Sequence, residues 1–223
     1  TLTSVEDVPT LTLQAGVSAG NAIVVGISCL SDHEIDCNIA PGSVTDNHSN
    51  SYTLIVRGEP ILSSQQGARG YIFIAENIGG PNGPFVISVD PDGTAPGQYV
   101  TWGAIEVSGL AAPPSLDAWG SSLVGDDQAI STTAVTDLPT MQPNELAVAV
   151  LTMRSTDTNM LIMEEPAWTE HHVHQNSASG HQGHSLVTRL LDSTGAVSHT
   201  WSHDPPGRGV TGIIATFRGA VQN

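Results

Sequence analysis

Seven histidines crowd the last third of this chain: His171, His172, His174, His181 and His184, then His199 and His203. On a strand, His172 and His174 share a face and His171 points the other way. If the strand ending near His174 neighbours the one beginning near His184, two to four imidazoles converge. His172, His174 and His184 are then a ligand set for zinc or nickel, or a cluster that charges near pH ~6. The acidic composition favours a plainer expectation, histidines in surface loops.

Other candidates are weaker. Cys29 and Cys37 enclose Leu30-Ser31-Asp32-His33-Glu34-Ile35-Asp36, a loop that a disulfide would close in an oxidising compartment; its spacing matches no usual zinc knuckle. Asp90-Pro91-Asp92-Gly93 opens like a calcium loop, but Pro91 interrupts it and no later Glu completes the pattern. There is no Gly-x-Ser-x-Gly elbow, no His-Glu-x-x-His and no phosphate-cradling glycine loop. Glu164-Glu165 and Asp126-Asp127 are adjacent pairs, expected in solvated turns rather than as a catalytic dyad. No enzyme is expected, and no cofactor beyond a zinc or calcium ion. Of the four tryptophans, Trp119, expected in the loop Leu116-Asp117-Ala118-Trp119-Gly120, is the candidate for stacking on a sugar ring.

The elements that must position these residues read as strands. Period-two alternation and turn residues place six in the first half, near 11–13, 21–28, 51–57, 70–77, 85–90 and 99–107. Six more fall near 131–135, 145–153, 167–174, 184–191, 197–203 and 210–218. The two sets share phrases. Ser88-Val89-Asp90-Pro91-Asp92-Gly93 answers to Ser202-His203-Asp204-Pro205-Pro206-Gly207, and both Asp-Pro-x-Gly strings read as turns. Asn21 to Val25 answers to Asn144 to Val148, Ser51-Tyr52-Thr53 to Ala167-Trp168-Thr169, Tyr71 to Asn77 to Leu186 to Asp192, and Gly103-Ala104-Ile105 to Gly212-Ile213-Ile214. Such self-similarity implies two related units. Where the second half has Glu170-His171-His172 the first has Leu54-Ile55-Val56, so the histidines belong to one copy alone.

The expected fold is all-β, a jelly-roll-like β-sandwich of about twelve strands built from two pseudo-repeated halves, 1–115 and 116–223. The halves pack as one sandwich, or stand as two tandem small ones. Strands such as Ile23 to Ile27, Tyr71 to Ala75 and Leu146 to Val150 are apolar on both faces, so each needs a cover on its second face. A second unit, another subunit, or the long connections 29–50 and 110–130 would supply it.

Six arginines and no lysine stand against 22 acidic residues, a net charge of −16. That balance repels nucleic-acid phosphates and anionic membranes and keeps the chain soluble. No apolar run approaches the ~20 residues of a membrane span. The start at Thr1 fits either a removed signal or a cytosolic product that lost its Met.

The succession Val44-Thr45-Asp46-Asn47, Asn50-Ser51-Tyr52-Thr53, Tyr71-Ile72-Phe73-Ile74-Ala75-Glu76-Asn77, Ala104-Ile105-Glu106-Val107-Ser108-Gly109-Leu110 and Asn144-Glu145-Leu146 resembles the jelly-roll-type β-modules of phage virion proteins (minor tail, appendage or decoration proteins) and of bacterial secreted surface proteins. The resemblance implies a non-enzymatic building or binding role on a virion or cell surface. Its partners would be other virion proteins, copies of the chain itself as a homo-oligomer, and host-surface glycans. It transfers no catalytic residues.

Overall fold

The computed structural model describes residues 2–3, 10–13, 17–31, 38–58, 67–79, 83–90, 98–124, 129–154, 161–175, 182–207 and 209–220. Among them are sixteen strands and no helix: β1 (Leu2–Thr3), β2 (Thr10–Leu13), β3 (Ala22–Ser31), β4 (Val44–Asp46), β5 (Thr53–Arg57), β6 (Gly67–Ala75), β7 (Phe85–Val89), β8 (Gln98–Val107), β9 (Leu116–Val124), β10 (Ala129–Val135), β11 (Glu145–Arg154), β12 (Leu161–Met163), β13 (Thr169–Gln175), β14 (Gln182–Leu191), β15 (Ser198–Gly207) and β16 (Val210–Arg218). All twelve strands expected from alternation are present, with four more: β1, β4, β9 and β12. The second Asp-Pro-x-Gly string is not a turn. β15 runs through it to Gly207, and the reversal falls beside Gly209, whose φ of 86° suits glycine.

Strands of the two halves share no sheet. The first half has an inner sheet, β1-β8-β3-β6-β5, and an outer sheet, β2-β7-β4; the second has an inner sheet, β9-β16-β11-β14-β13, and an outer sheet, β10-β15-β12. Matched by place within their half, the strands follow the same order, and all pairings are antiparallel. The pairings of the inner-sheet edges β5 and β13 also slip alike, at Ile55 in one and His171 in the other, so that Val56 faces Ile72 where His172 faces Leu186. The motif Val44-Thr45-Asp46-Asn47 ends in a clamped turn. Asp46 Oδ1 accepts the His48 and Asn50 N–H groups, and its Oδ2 accepts the Asn50 side-chain amide.

Period-two alternation sends each inner strand's side chains to two cores. Ile23, Val25, Ile27 and Cys29 of β3 meet Phe85, Ile87 and Val89 of the outer sheet. Ala147, Ala149, Leu151 and Met153 of β11 meet Ala134, Ile162 and Trp201 of theirs. The other faces, Ala22, Val24, Ile72, Ile74 and Ile105 against Leu146, Val148, Val150, Ile213, Ala215 and Phe217, form a third core between the halves. The molecule is thus two β-sandwiches back to back, four layers deep, and each half is the cover that the other's doubly apolar strands require. The sequence match of Asn21–Val25 with Asn144–Val148 is therefore one residue out, since Ile23 faces its outer sheet and Leu146 faces the seam.

Across this seam β11 faces β3 and β6, β14 faces β3 and β8, β16 faces β6 and β5, β13 faces β8 and β1, and β9 faces β5. Exchanging each strand for its counterpart in the other half reproduces the set, the signature of a two-fold relation. Past β8 and β16 the chain pairs once more, Leu110 with Gly219, and Ala220 N–H donates to the Gly109 carbonyl. No helix in the described residues is long and apolar enough to cross a membrane.

Candidate functional site

Four of these histidines are buried strand residues and not surface-loop ones. His172, His184, His199 and His203 are 7%, 0%, 0% and 2% exposed. The expectation failed because these histidines take inward-facing positions, His172 and His184 toward the seam and His199 and His203 within the second sandwich.

Two groups form. At the seam, β13 pairs with β14 so that His174 stands opposite His184. The His172 and His184 rings lie with centroids 5.1 Å apart, inclined at 49°. His184 Nδ1 is 2.6 Å from Ser28 Oγ of the first half, Thr152 Oγ1 donates to that same oxygen at 2.8 Å, and Ser28 donates to the Leu151 carbonyl at 3.0 Å. Gln182 Nε2 donates to the Ser28 carbonyl. His172 fits because Gly103 faces it; a Cβ there would sit 3.3 Å from that of His172. The His174 side chain and all of His181 lie outside the described residues.

The second group is within the second sandwich, where the shared phrase sets His199, Trp201 and His203 against Phe85, Ile87 and Val89. His199 is held between Trp168 and Trp201, with ring centroids 4.6 and 4.4 Å away. Its Nε2 lies 2.6 Å from Glu164 Oε2, and Glu165 Oε2 is 3.8 Å from Nδ1. Ser185 donates to Glu164 Oε1 at 2.5 Å and accepts from Trp201 Nε1 at 3.1 Å. Glu164 stands between the serine and the histidine, so the imidazole does not touch the hydroxyl and the order is not that of a Ser-His-acid triad. Glu164, expected in a solvated turn, is instead largely buried against His199, whereas Glu165 does open a turn, its carbonyl accepting the Trp168 N–H and its side chain 40% exposed. On the far side of β13, His171 Nε2 meets Thr188 Oγ1 at 2.6 Å, and burial holds this imidazole below its ordinary pKa.

Sequence reasoning passed over a buried carboxyl. Glu145 is wholly buried at the base of the second sandwich. Its pKa is raised to about 7, first by burial and further by the neighbouring Asp117 carboxyl; the nearby Thr216 hydroxyl and Gln142 N–H offset part of this. Neither carboxyl oxygen reaches a partner in ordinary hydrogen-bond geometry. The signal was a lone acid opening the apolar run Leu146 to Leu151.

Trp119 is not in a loop. It lies on the edge strand β9 opposite Ala215, 44% exposed, and its carbonyl accepts the Asp137 N–H. Leu138 and Met141, on the adjoining segment, are exposed too. Trp102, Trp168 and Trp201 are buried in the layers. Cys29 is wholly buried and disulfide-bonded; Cys37, the chain's other cysteine, lies outside the described residues. Asp90 is exposed, while Pro91, Asp92 and Gly93, the rest of the candidate calcium loop, lie outside the described residues. Among the described residues no group of three or more His, Cys, Asp or Glu could hold a metal, and the His174 side chain is not among those residues. An open cleft of about 810 Å³ lies where the segments after β8 and β16 pair, and its described lining, including Ser108, Gln142 and Asn144, carries no ionisable side chain.

No family model, curated protein or solved structure matches the chain.

Proposed function

We propose that the chain is a non-enzymatic structural subunit of a tailed-phage virion, decorating the capsid or building a tail or fibre appendage, and associating with other virion proteins and with itself as a homo-oligomer. The observation that carries this reading is the four-layer stack with its apolar seam, which makes the chain a thick, rigid block. The chemistry-bearing side chains Ser28, His184, Ser185, Glu164 and His199 are engaged in hydrogen bonds between or within layers. A net charge of −16 keeps such subunits soluble at the high local density of an assembling particle. The test is fractionation of purified particles with immunogold electron microscopy, alongside light scattering of the isolated chain. Label on a regular lattice or appendage, with a defined oligomer in solution, is the expected result; recovery of the chain only from culture supernatant as a monomer would sink the reading.

The exposed Trp119 favours a second reading, a secreted carbohydrate-binding or adhesion module. Its indole stands on β9 near Asp117, two residues before it, and Asp137, whose N–H bonds the Trp119 carbonyl. An exposed aromatic face is suited to stacking on a neutral sugar. Saturable binding of neutral glycans, abolished in Trp119→Ala, would put this reading ahead of the first.

A further inference from the structure

The connection from β10 to β11, residues 136–144, crosses the base of the second sandwich without regular structure. The N–H groups of Thr136, Asp137, Thr140 and Asn144 fasten it by donating to the backbone carbonyls of Val197, Trp119, Gly195 and Leu191. That of Met141 donates instead to a side chain, Asp117 Oδ2 on β9, at 2.7 Å. A carbonyl accepts equally well at any ordinary pH. A carboxylate depends on what ionises around it.

Asp117 lies beside the wholly buried carboxyl of Glu145, whose two oxygens have no partner in ordinary hydrogen-bond geometry. The other elements around Glu145 bring no cation to it. From β16 comes the Thr216 hydroxyl, while Arg218, opposite Glu145 in register, turns its guanidinium to the Pro114 and Ser115 carbonyls. Leu191 is opposite on β14, and the connection itself supplies the Gln142 N–H. Arg189, Asp192 and Asp137 are exposed. Burial, and after it the Asp117 carboxyl, raise the Glu145 pKa to about 7. Below that pH Glu145 is neutral; above it two like charges face each other. Asp117 is partly exposed and has water to turn to, whereas Glu145 has none.

We propose that Glu145 and Asp117 form a pH-sensitive latch on the 136–144 connection, closed while Glu145 is neutral and opened when it ionises. Ionised Glu145 drives the Asp117 carboxylate outward, and the Met141 N–H loses its acceptor. The released stretch carries Leu138 and Met141, 67% and 79% exposed. It also carries Gln142, whose side-chain amide donates to the Gly219 carbonyl in the wall of the 810 Å³ cleft. The surface offered to a partner thus differs between mildly acidic and mildly alkaline solution.

The test is amide hydrogen exchange of the full chain, read by NMR at Met141 at pH 6 and pH 8.5 and corrected for the intrinsic pH dependence of exchange. Over that interval the ionised fraction of a group titrating at about 7 rises about tenfold, and protection at Met141 should fall by that factor. Asn144, whose acceptor is a backbone carbonyl, should keep its protection. Glu145→Gln stays neutral throughout and should hold Met141 protection constant. Asp117→Asn keeps an acceptor oxygen without the like charge and should do the same. Unchanged protection at Met141 in the wild-type chain overturns the proposal, as does a fall that Glu145→Gln shares or that Asn144 shows equally. If Glu145→Gln fails to fold, Asp117→Asn decides.

Discussion

A single buried acid sets part of the pH response. Glu145 titrates near 4.5 in the unfolded chain and at about 7 in the folded one. Below the unfolded value both states are protonated and folding meets no penalty at this residue. As pH rises from there through about 7, the unfolded chain ionises first and stability is lost. Urea titrations at pH 5 and pH 8 should show the Glu145→Gln variant gaining on wild type by about 2 kcal/mol at the higher pH; equal differences at both would refute this. His171 acts in the opposite sense. Its lowered pKa contributes stability above its ordinary range, and that contribution disappears as acid reaches the folded value. The core pair His199–Glu164 provides a further check. Replacing His199 with Phe, the residue the first half has there, leaves Glu164 without its 2.6 Å partner and should cost about 3 kcal/mol. Adding Glu164→Gln should restore part of it, and a double-mutant cycle with no coupling would disprove the pairing.

Fit at the level of strands depends on glycines in the first half. At Gly26 a Cβ would lie 2.7 Å from Val150 Cγ2, and at Gly58 it would collide with Thr211 Cγ2. Gly58→Ala is expected to cost about 1–3 kcal/mol by overpacking. Thr211→Ser removes the opposing methyl, so the double variant should recover much of that loss in denaturant titration. Alternation together with turn residues made twelve strands legible in the sequence, most plainly where apolar residues run through them, as in β3, β6 and β11. β9 was missed: Asp117, Gly120, Ser121 and Ser122 give it the composition of a loop, and it is strand only because β16 pairs along it. Leu161–Met163 and Val44–Asp46 are too short to show a period. The pairing of His174 with His184 was readable as a condition on strand adjacency, whereas burial of His172 and His184 was not, since it depends on a sheet contributed by the other half.

The third core makes the two sandwiches one thermodynamic object. Separating them would expose Val24, Ile72, Val148, Ile213 and Phe217 together, at roughly 1.5–3 kcal/mol for each large side chain. Calorimetry should therefore give a single transition with equal calorimetric and van't Hoff enthalpies; two resolved transitions would mean that the seam is not a shared core. The strong negative charge lies on a block whose inner layers are closed to solvent. Association with other proteins should accordingly respond to salt through the surface and leave the seam unaffected.

Apolar contact has no preferred position along a sheet, so two flat greasy faces could slide past one another by a residue pair at little cost. The bonds from Ser28 to His184, Thr152 and Leu151 act as an index pin against that translation. Displacing the faces by one step would strand three buried polar groups at about 1–3 kcal/mol each. The hydroxyl of one serine thereby determines how far along each other the two halves come to rest.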